Sequence, residues 1–186
     1  MVYPTTKLWF YPLCWILTKS IKGAENIPGK MPFIIVTNHE RTLLDALIII
    51  YPILKKSNKK VHFLAHTGWW FLGETICRDW AGCVPLFDPK NPKQAYKELK
   101  KLINSGEIIG IFPEGDIKKT KKPKTGAIRL AIETKTPILP IGLKSSWIPF
   151  SSTLNIGKPI YFKNENNLDN QIKDLMQLIY KLRKIG

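Results

Sequence analysis

The residues best suited to chemistry in this chain are His39 and Asp45, in the stretch Asn38-His39-Glu40-Arg41-Thr42-Leu43-Leu44-Asp45 directly after the apolar run Phe33-Ile34-Ile35-Val36. A neutral histidine takes a proton from an alcohol near pH 7, and a carboxylate on its other ring nitrogen fixes the tautomer and steadies the imidazolium that forms. Thr42-x-x-Asp45 is equally an ordinary helix start, with threonine as N-cap and aspartate at the third helical position. The residues alone therefore leave Asp45 as either orienter or cap. A second apolar run, Ile108-Ile109-Gly110-Ile111-Phe112, passes straight into Pro113-Glu114-Gly115 and sets another carboxylate at the end of a strand. Cys14, Cys77 and Cys83 have neither metal-ligand spacing nor an even-numbered disulfide framework. They read as buried thiols, with a catalytic cysteine as the alternative.

Together these stretches resemble the glycerolipid acyltransferase family, lysophospholipid acyltransferases that include the 1-acylglycerol-3-phosphate acyltransferases. Four blocks match in order over residues 20–162: Asn38-His39 with Thr42 and Asp45; Gly82-Cys83-Val84-Pro85-Leu86-Phe87; Phe112-Pro113-Glu114-Gly115 followed by Lys124-x-Gly126-Ala127; and Pro137-Ile138-Leu139-Pro140-Ile141. The resemblance implies transfer of a fatty acyl group from acyl-coenzyme A or acyl carrier protein to the free hydroxyl of a lysophospholipid, first of all 1-acylglycerol-3-phosphate, in phospholipid biosynthesis. It implies no metal and no cofactor beyond the acyl donor. His39 would be the general base and Asp45 its orienter. Asn38, Thr42, Phe112, Pro113, Glu114 and Gly115 would bind the acceptor, with Lys118, Lys119 and Lys124 at its phosphate.

The chain departs from the family in two places. The family keeps four residues between its His and Asp, whereas five lie between His39 and Asp45; aligning Thr42 with the family's Ser or Thr puts the extra residue at Glu40 or Arg41, ahead of the helix. Inside the helix it would have turned Asp45 about 100° away from His39. Members also carry arginines after the second and third blocks, where this chain has Asp88-Pro89-Lys90 and Asp116-Ile117-Lys118, so phosphate would be met by lysines as point charges rather than by an arginine fork. Two other classes fit the same residues. One is a thioester or lipid hydrolase of the same architecture, although the chain has no Gly-x-Ser-x-Gly elbow; the other is an inactive, basic membrane-binding domain.

The elements that must position these side chains alternate, which predicts a single α/β domain with a mixed central sheet flanked by helices and an N-terminal interfacial helix. Strands are expected at 33–37, 61–65, 82–87, 107–112, 138–143 and 156–162, and helices at 6–18, 43–53, 69–77, 92–105, 126–134 and 168–183. His39 and Glu114 then stand at carboxyl ends of strands, where open α/β sheets place their sites. The aromatic cluster Trp69-Trp70-Phe71 reads as core packing or as the wall of an acyl-chain groove, and the last helix, with Ile172, Leu175, Ile179 and Leu182, as a cover for the sheet.

A chain of 186 residues, 44% of them hydrophobic, suffices for one core. Its net charge of +15 calls for an anionic partner. No basic base-reading helix, zinc module or RNA-binding aromatic signature is present, which favours an anionic membrane surface over nucleic acid. The run Leu8–Leu17, rich in aromatics, is too short to span a bilayer, which takes about 20 residues, and Pro12 is expected to interrupt it. It reads as an interfacial anchor or as a helix packed on the domain. The first expectation divides the chain into a membrane-interface segment at 1–22 and an acyltransferase domain at 23–186, peripheral to the cytoplasmic face of a membrane and not spanning it.

Overall fold

In a computed structural model, residues 6–29, 32–40, 42–88, 91–115, 122–164 and 166–185 are described. Among the described residues, five α-helices, α1 (Thr6–Leu17), α2 (Thr42–Ser57), α3 (Lys93–Asn104), α4 (Gly126–Thr134) and α5 (Leu168–Lys184), surround seven strands: β1 (Thr18–Lys22), β2 (Ile34–Thr37), β3 (Val61–His66), β4 (Cys83–Leu86), β5 (Ile108–Ile111), β6 (Ile138–Lys144) and β7 (Ser152–Ile156). They form one mixed sheet in the order β1-β7-β6-β2-β5-β3-β4.

Because β2 through β6 are mutually parallel, their carboxyl ends share one edge of the sheet. β7 runs antiparallel to β6 and begins at that edge, and β1, parallel to β7, begins there too, with Thr18 opposite Ser152. Central β2 is buried at every position, as the unbroken apolar run of a strand covered on both faces requires. Alternate side chains go to opposite cores: Ile34, Val36, Ile109 and Ile111 meet α3, α4 and α5, whereas Ile35, Ile108 and Leu139 meet α2. Helix α3 shows why such a sequence is helical there, since Ala95, Leu99 and Ile103 recur every four residues and are its buried stripe.

Several expectations are corrected. Strand β1 was not foreseen, because an edge strand reading Thr-Lys-Ser-Ile-Lys carries one apolar residue and no run. The strand expected at 156–162 lies at Ser152–Ile156; beyond it only Ile160 makes a bridge, to Ile138. The helix expected at 69–77 is a 3₁₀ segment (Thr67–Leu72) and a π-helical segment (Thr75–Trp80), separated by Gly73 with φ at 94°, a backbone that suits glycine. Pro12 does not interrupt α1. It removes the bond to the carbonyl of Leu8, a residue 80% exposed, so water can satisfy that oxygen.

Residues 1–22, expected as a membrane-interface segment, pack against the rest of the chain where they are described. β1 is hydrogen-bonded into the sheet, and Phe10 and Cys14 of α1 pack with Tyr51 and Leu54 of α2. Leu8, Trp9 and Trp15 remain on the outer face of α1, each more than half exposed. None of the described helices is long and apolar enough to cross a membrane.

Candidate active site

His39 and Asp45 meet where β2 passes into α2. His39 Nδ1 lies 2.6 Å from Asp45 Oδ2, so the extra residue is absorbed in the turn before Thr42 rather than in the helix. The same oxygen accepts the Glu40 N–H at 2.7 Å, and Oδ1 accepts the hydroxyl of Ser145, the residue that follows β6. Orienter and cap are thus one arrangement, in which a single carboxylate oxygen holds the imidazole and ties down the backbone just ahead of the helix. Asp45 is wholly buried in the first turn of α2, where the helix N-terminus favours its negative charge. With Nδ1–H turned to a carboxylate, the unprotonated ring nitrogen is Nε2. The His39 side chain is 17% exposed, and its ring stacks on Phe112 with centroids 4.4 Å apart, a contact that fixes the ring plane.

Glu114 reaches the site from the turn after β5. It is 3% exposed, accepts the His39 backbone N–H on Oε2 at 3.0 Å, and accepts the Tyr180 hydroxyl from α5 on Oε1. Burial first, and then the Glu114 carboxylate, pushes the Tyr180 hydroxyl well above the ordinary tyrosine range, so it stays a donor. Asn38 is also fully buried: its Nδ2 donates to the Leu143 carbonyl and its Oδ1 accepts the Leu143 N–H, each at 2.9 Å, so the side-chain amide continues the β2–β6 ladder beyond the end of β2.

Asn38 and Glu114, expected to bind the acceptor, are both buried: Asn38 ties the chain just ahead of His39 to β6, and Glu114 holds the His39 N–H. Pro113 is buried and its carbonyl accepts the Lys124 N–H at 2.9 Å; Gly115 is exposed, and the exposed Lys124 side chain lies over it. Thr42 opens α2, but its side chain lies outside the described residues, as do Lys118 and Lys119.

Sequence reasoning missed several contributors. Ser145 stands a few residues past the fourth block, where only its place at a parallel strand's end marks it. Helix α5 does more than cover the sheet, because Tyr180 holds Glu114 and Arg183 ion-pairs with Glu40, Nε to Oε1 at 2.6 Å. Glu40 in turn accepts Asn38 Nδ2 at 3.0 Å. The close approach of α5 depends on Gly142 in β6, where a Cβ would come within 2.2 Å of the Arg183 backbone nitrogen. By contrast, burial pushes the Cys14 thiol up to about 12 and the Cys83 thiol up to about 11, against the lowered value a nucleophile needs.

Comparison with known proteins gives the family and the fold. The chain is 31% identical to the chloroplastic 1-acyl-sn-glycerol-3-phosphate acyltransferase of Brassica napus, across 93% of this chain and 55% of that protein. It is 29% identical to the 1-acyl-sn-glycerol-3-phosphate acyltransferase of Borreliella burgdorferi, across 96% of this chain and 75% of that protein. The chain thus spans about half the length of the Brassica relative. The crystal structure of the 1-acyl-sn-glycerophosphate acyltransferase PlsC from Thermotoga maritima shares the fold, with a TM-score of 0.64 at 20% identity, covering 94% of this chain and 77% of that one. The family model described as acyltransferase matches residues 19–144, and on that match the chain belongs to the acyltransferase family.

Proposed function

We propose that this protein transfers a fatty acyl group from a thioester, acyl-coenzyme A or acyl carrier protein, to the free hydroxyl of a lysophospholipid, with 1-acyl-sn-glycerol-3-phosphate the first choice of acceptor. The observation that carries the reading is the 2.6 Å contact between His39 Nδ1 and buried Asp45, which leaves Nε2 as the base at the rim of the sheet. The relatives' names support the acceptor. His39 Nε2 takes the hydroxyl proton as the oxygen attacks the thioester carbonyl, and Asp45 steadies the imidazolium. When the carbon–sulfur bond breaks, the imidazolium returns the proton to the leaving thiolate, so an ester and a free thiol are formed without an acyl-enzyme. The donor is already activated, so the protein's work is deprotonation, positioning and shielding from water. Lys124, with Lys118 and Lys119, would neutralise the acceptor phosphate.

Both substrates are lipids or carry one, and the exposed aromatic face of α1 supports peripheral attachment to the cytoplasmic face of a membrane. The deciding experiment measures free thiol from acyl-coenzyme A with and without lysophosphatidic acid. Release that depends on the acceptor, with phosphatidic acid as product, is expected. Equal release without acceptor would mean a hydrolase, and no release from acyl-coenzyme A, nor from acyl carrier protein in a second arm, would mean a binding domain.

A further inference from the structure

The loop that joins β6 to β7 contains Trp147, Ile148 and Phe150, which are 56%, 69% and 54% exposed. Single exposed apolar side chains are ordinary on a surface, but a cluster marks a contact. These three do not stand alone. The Phe150 ring meets Trp15 of α1 edge-on at 5.7 Å, and the Phe150 N–H bonds the carbonyl of Ile16 at 2.7 Å, so loop and helix end form one apolar ledge.

The loop is also held in shape. Ser152 Oγ accepts from Ser146 N and donates to Ser146 O, each at 3.0 Å, and Phe150 sits at φ 54°, a conformation a bulky residue keeps only when its surroundings impose it. The ledge lies at the carboxyl-end edge of the sheet. The loop leaves that edge at Ser145, whose hydroxyl holds Asp45, and re-enters it at Ser152 opposite Thr18. Its charge has one sign, since residues 8–22 and 143–156 contain no acidic side chain, while Lys19 and Lys144 are exposed on β1 and β6, the strands on either side of β7.

We propose that Trp147, Ile148 and Phe150, together with the end of α1, insert into the interface of an anionic phospholipid bilayer and seat the His39 edge of the sheet against it. The proposal rests on the reading that the acceptor is a membrane lysophospholipid, and it identifies which surface meets that membrane. Aromatic rings at the headgroup level with lysines beside them are the composition an interfacial contact needs, and anionic headgroups complement the lysines.

The test is cosedimentation of the full chain with phosphatidylcholine–phosphatidylglycerol vesicles and with phosphatidylcholine vesicles. Trp147→Ser/Ile148→Ser, both at exposed positions, should weaken binding to the mixed vesicles by about 100-fold, since burial of each side chain is worth about tenfold or more. Lys19→Gln/Lys144→Gln should lose about fivefold per lysine on the anionic vesicles alone. A dye sensitive to polarity on Ile148→Cys should shift to the blue when mixed vesicles are added, which checks insertion without relying on a binding loss.

Unchanged binding of the serine variant, no dye shift, or equal wild-type affinity for both vesicle types would each overturn the proposal. So would a dimer in lipid-free buffer that already buries the dye. These measurements need no turnover. A chain that docks but releases no thiol in the presence of lysolipid would refute the acyl-transfer reading and leave the docking surface standing.

Discussion

The two oxygens of Asp45 have different neighbours, so the effect of Asp45→Asn can be worked through atom by atom. Oδ2 faces two donors, His39 Nδ1 and Glu40 N, while Oδ1 faces the Ser145 hydroxyl, which can reverse from donor to acceptor. The amide therefore settles with its oxygen toward His39 and its nitrogen toward Ser145. The histidine tautomer survives and only the negative charge beside the developing imidazolium is lost. A hydrogen bond to a charged group is worth about 1.5–3 kcal/mol, which at about 1.4 kcal/mol per factor of ten predicts a fall in kcat/KM of roughly 10- to 150-fold. In Asp45→Asn/Ser145→Ala the Glu40 N–H still holds the amide oxygen at the Oδ2 position. The loss should then stay in the same range and not approach the roughly 10,000-fold seen when a triad histidine takes the wrong tautomer. Weaker capping should lower stability by about 1 kcal/mol in either variant. The assay is acceptor-dependent thiol release beside urea unfolding. A stability loss with wild-type kcat/KM in Asp45→Asn would refute the orienter role and leave the cap alone.

His39→Ala should lower acyl transfer by about 100- to 10,000-fold with its unfolding midpoint little changed, as removal of a general base does; wild-type turnover would end the mechanism. Tyr180→Phe leaves the buried Glu114 Oε1 without its hydroxyl donor. Chemical denaturation should show a loss of about 1–3 kcal/mol, with kcat reduced more than KM is raised, because Glu114 holds the His39 backbone rather than substrate. Gly142→Ala places a methyl group against the backbone of α5, and its overpacking should cost about 1–3 kcal/mol and reduce activity through both Tyr180 and Arg183. The folded state raises Cys14 to about 12 and Cys83 to about 11 from 9.0. Their protonated forms therefore favour folding below about pH 9, and that contribution is lost as pH rises toward those values. Urea midpoints followed above pH 9 should fall less steeply in Cys14→Ala/Cys83→Ala.

The parts of this molecule that could be read from the sequence are those whose cause is local. An unbroken run such as Ile34-Ile35-Val36 announces a strand covered on both faces, and a polar cluster at its end announces the edge where parallel sheets keep their sites. Strand β1 has no such signal, because its only reason to be extended is the β7 edge beside it, far away in the chain. Residue type alone does not place Asn38 and Glu114. Whether an amide or a carboxylate meets substrate or backbone depends on burial, and burial is decided by what packs above it.

The supplier of that packing is α5. Its pattern reads as an ordinary amphipathic helix, yet Tyr180 and Arg183, three residues apart and so on one face, reach Glu114 and Glu40. The extra residue between His39 and Asp45 makes the same point from the other side. A longer turn alone would loosen the dyad. Here Glu40 ties the longer turn down, with its N–H held by Asp45 and its carboxylate received by Asn38 and Arg183. The turn is thus fixed at three points, from α2, from β2 and from the far end of the chain. The departure from the family's spacing and the bracing from the C-terminal helix are two halves of one structural solution.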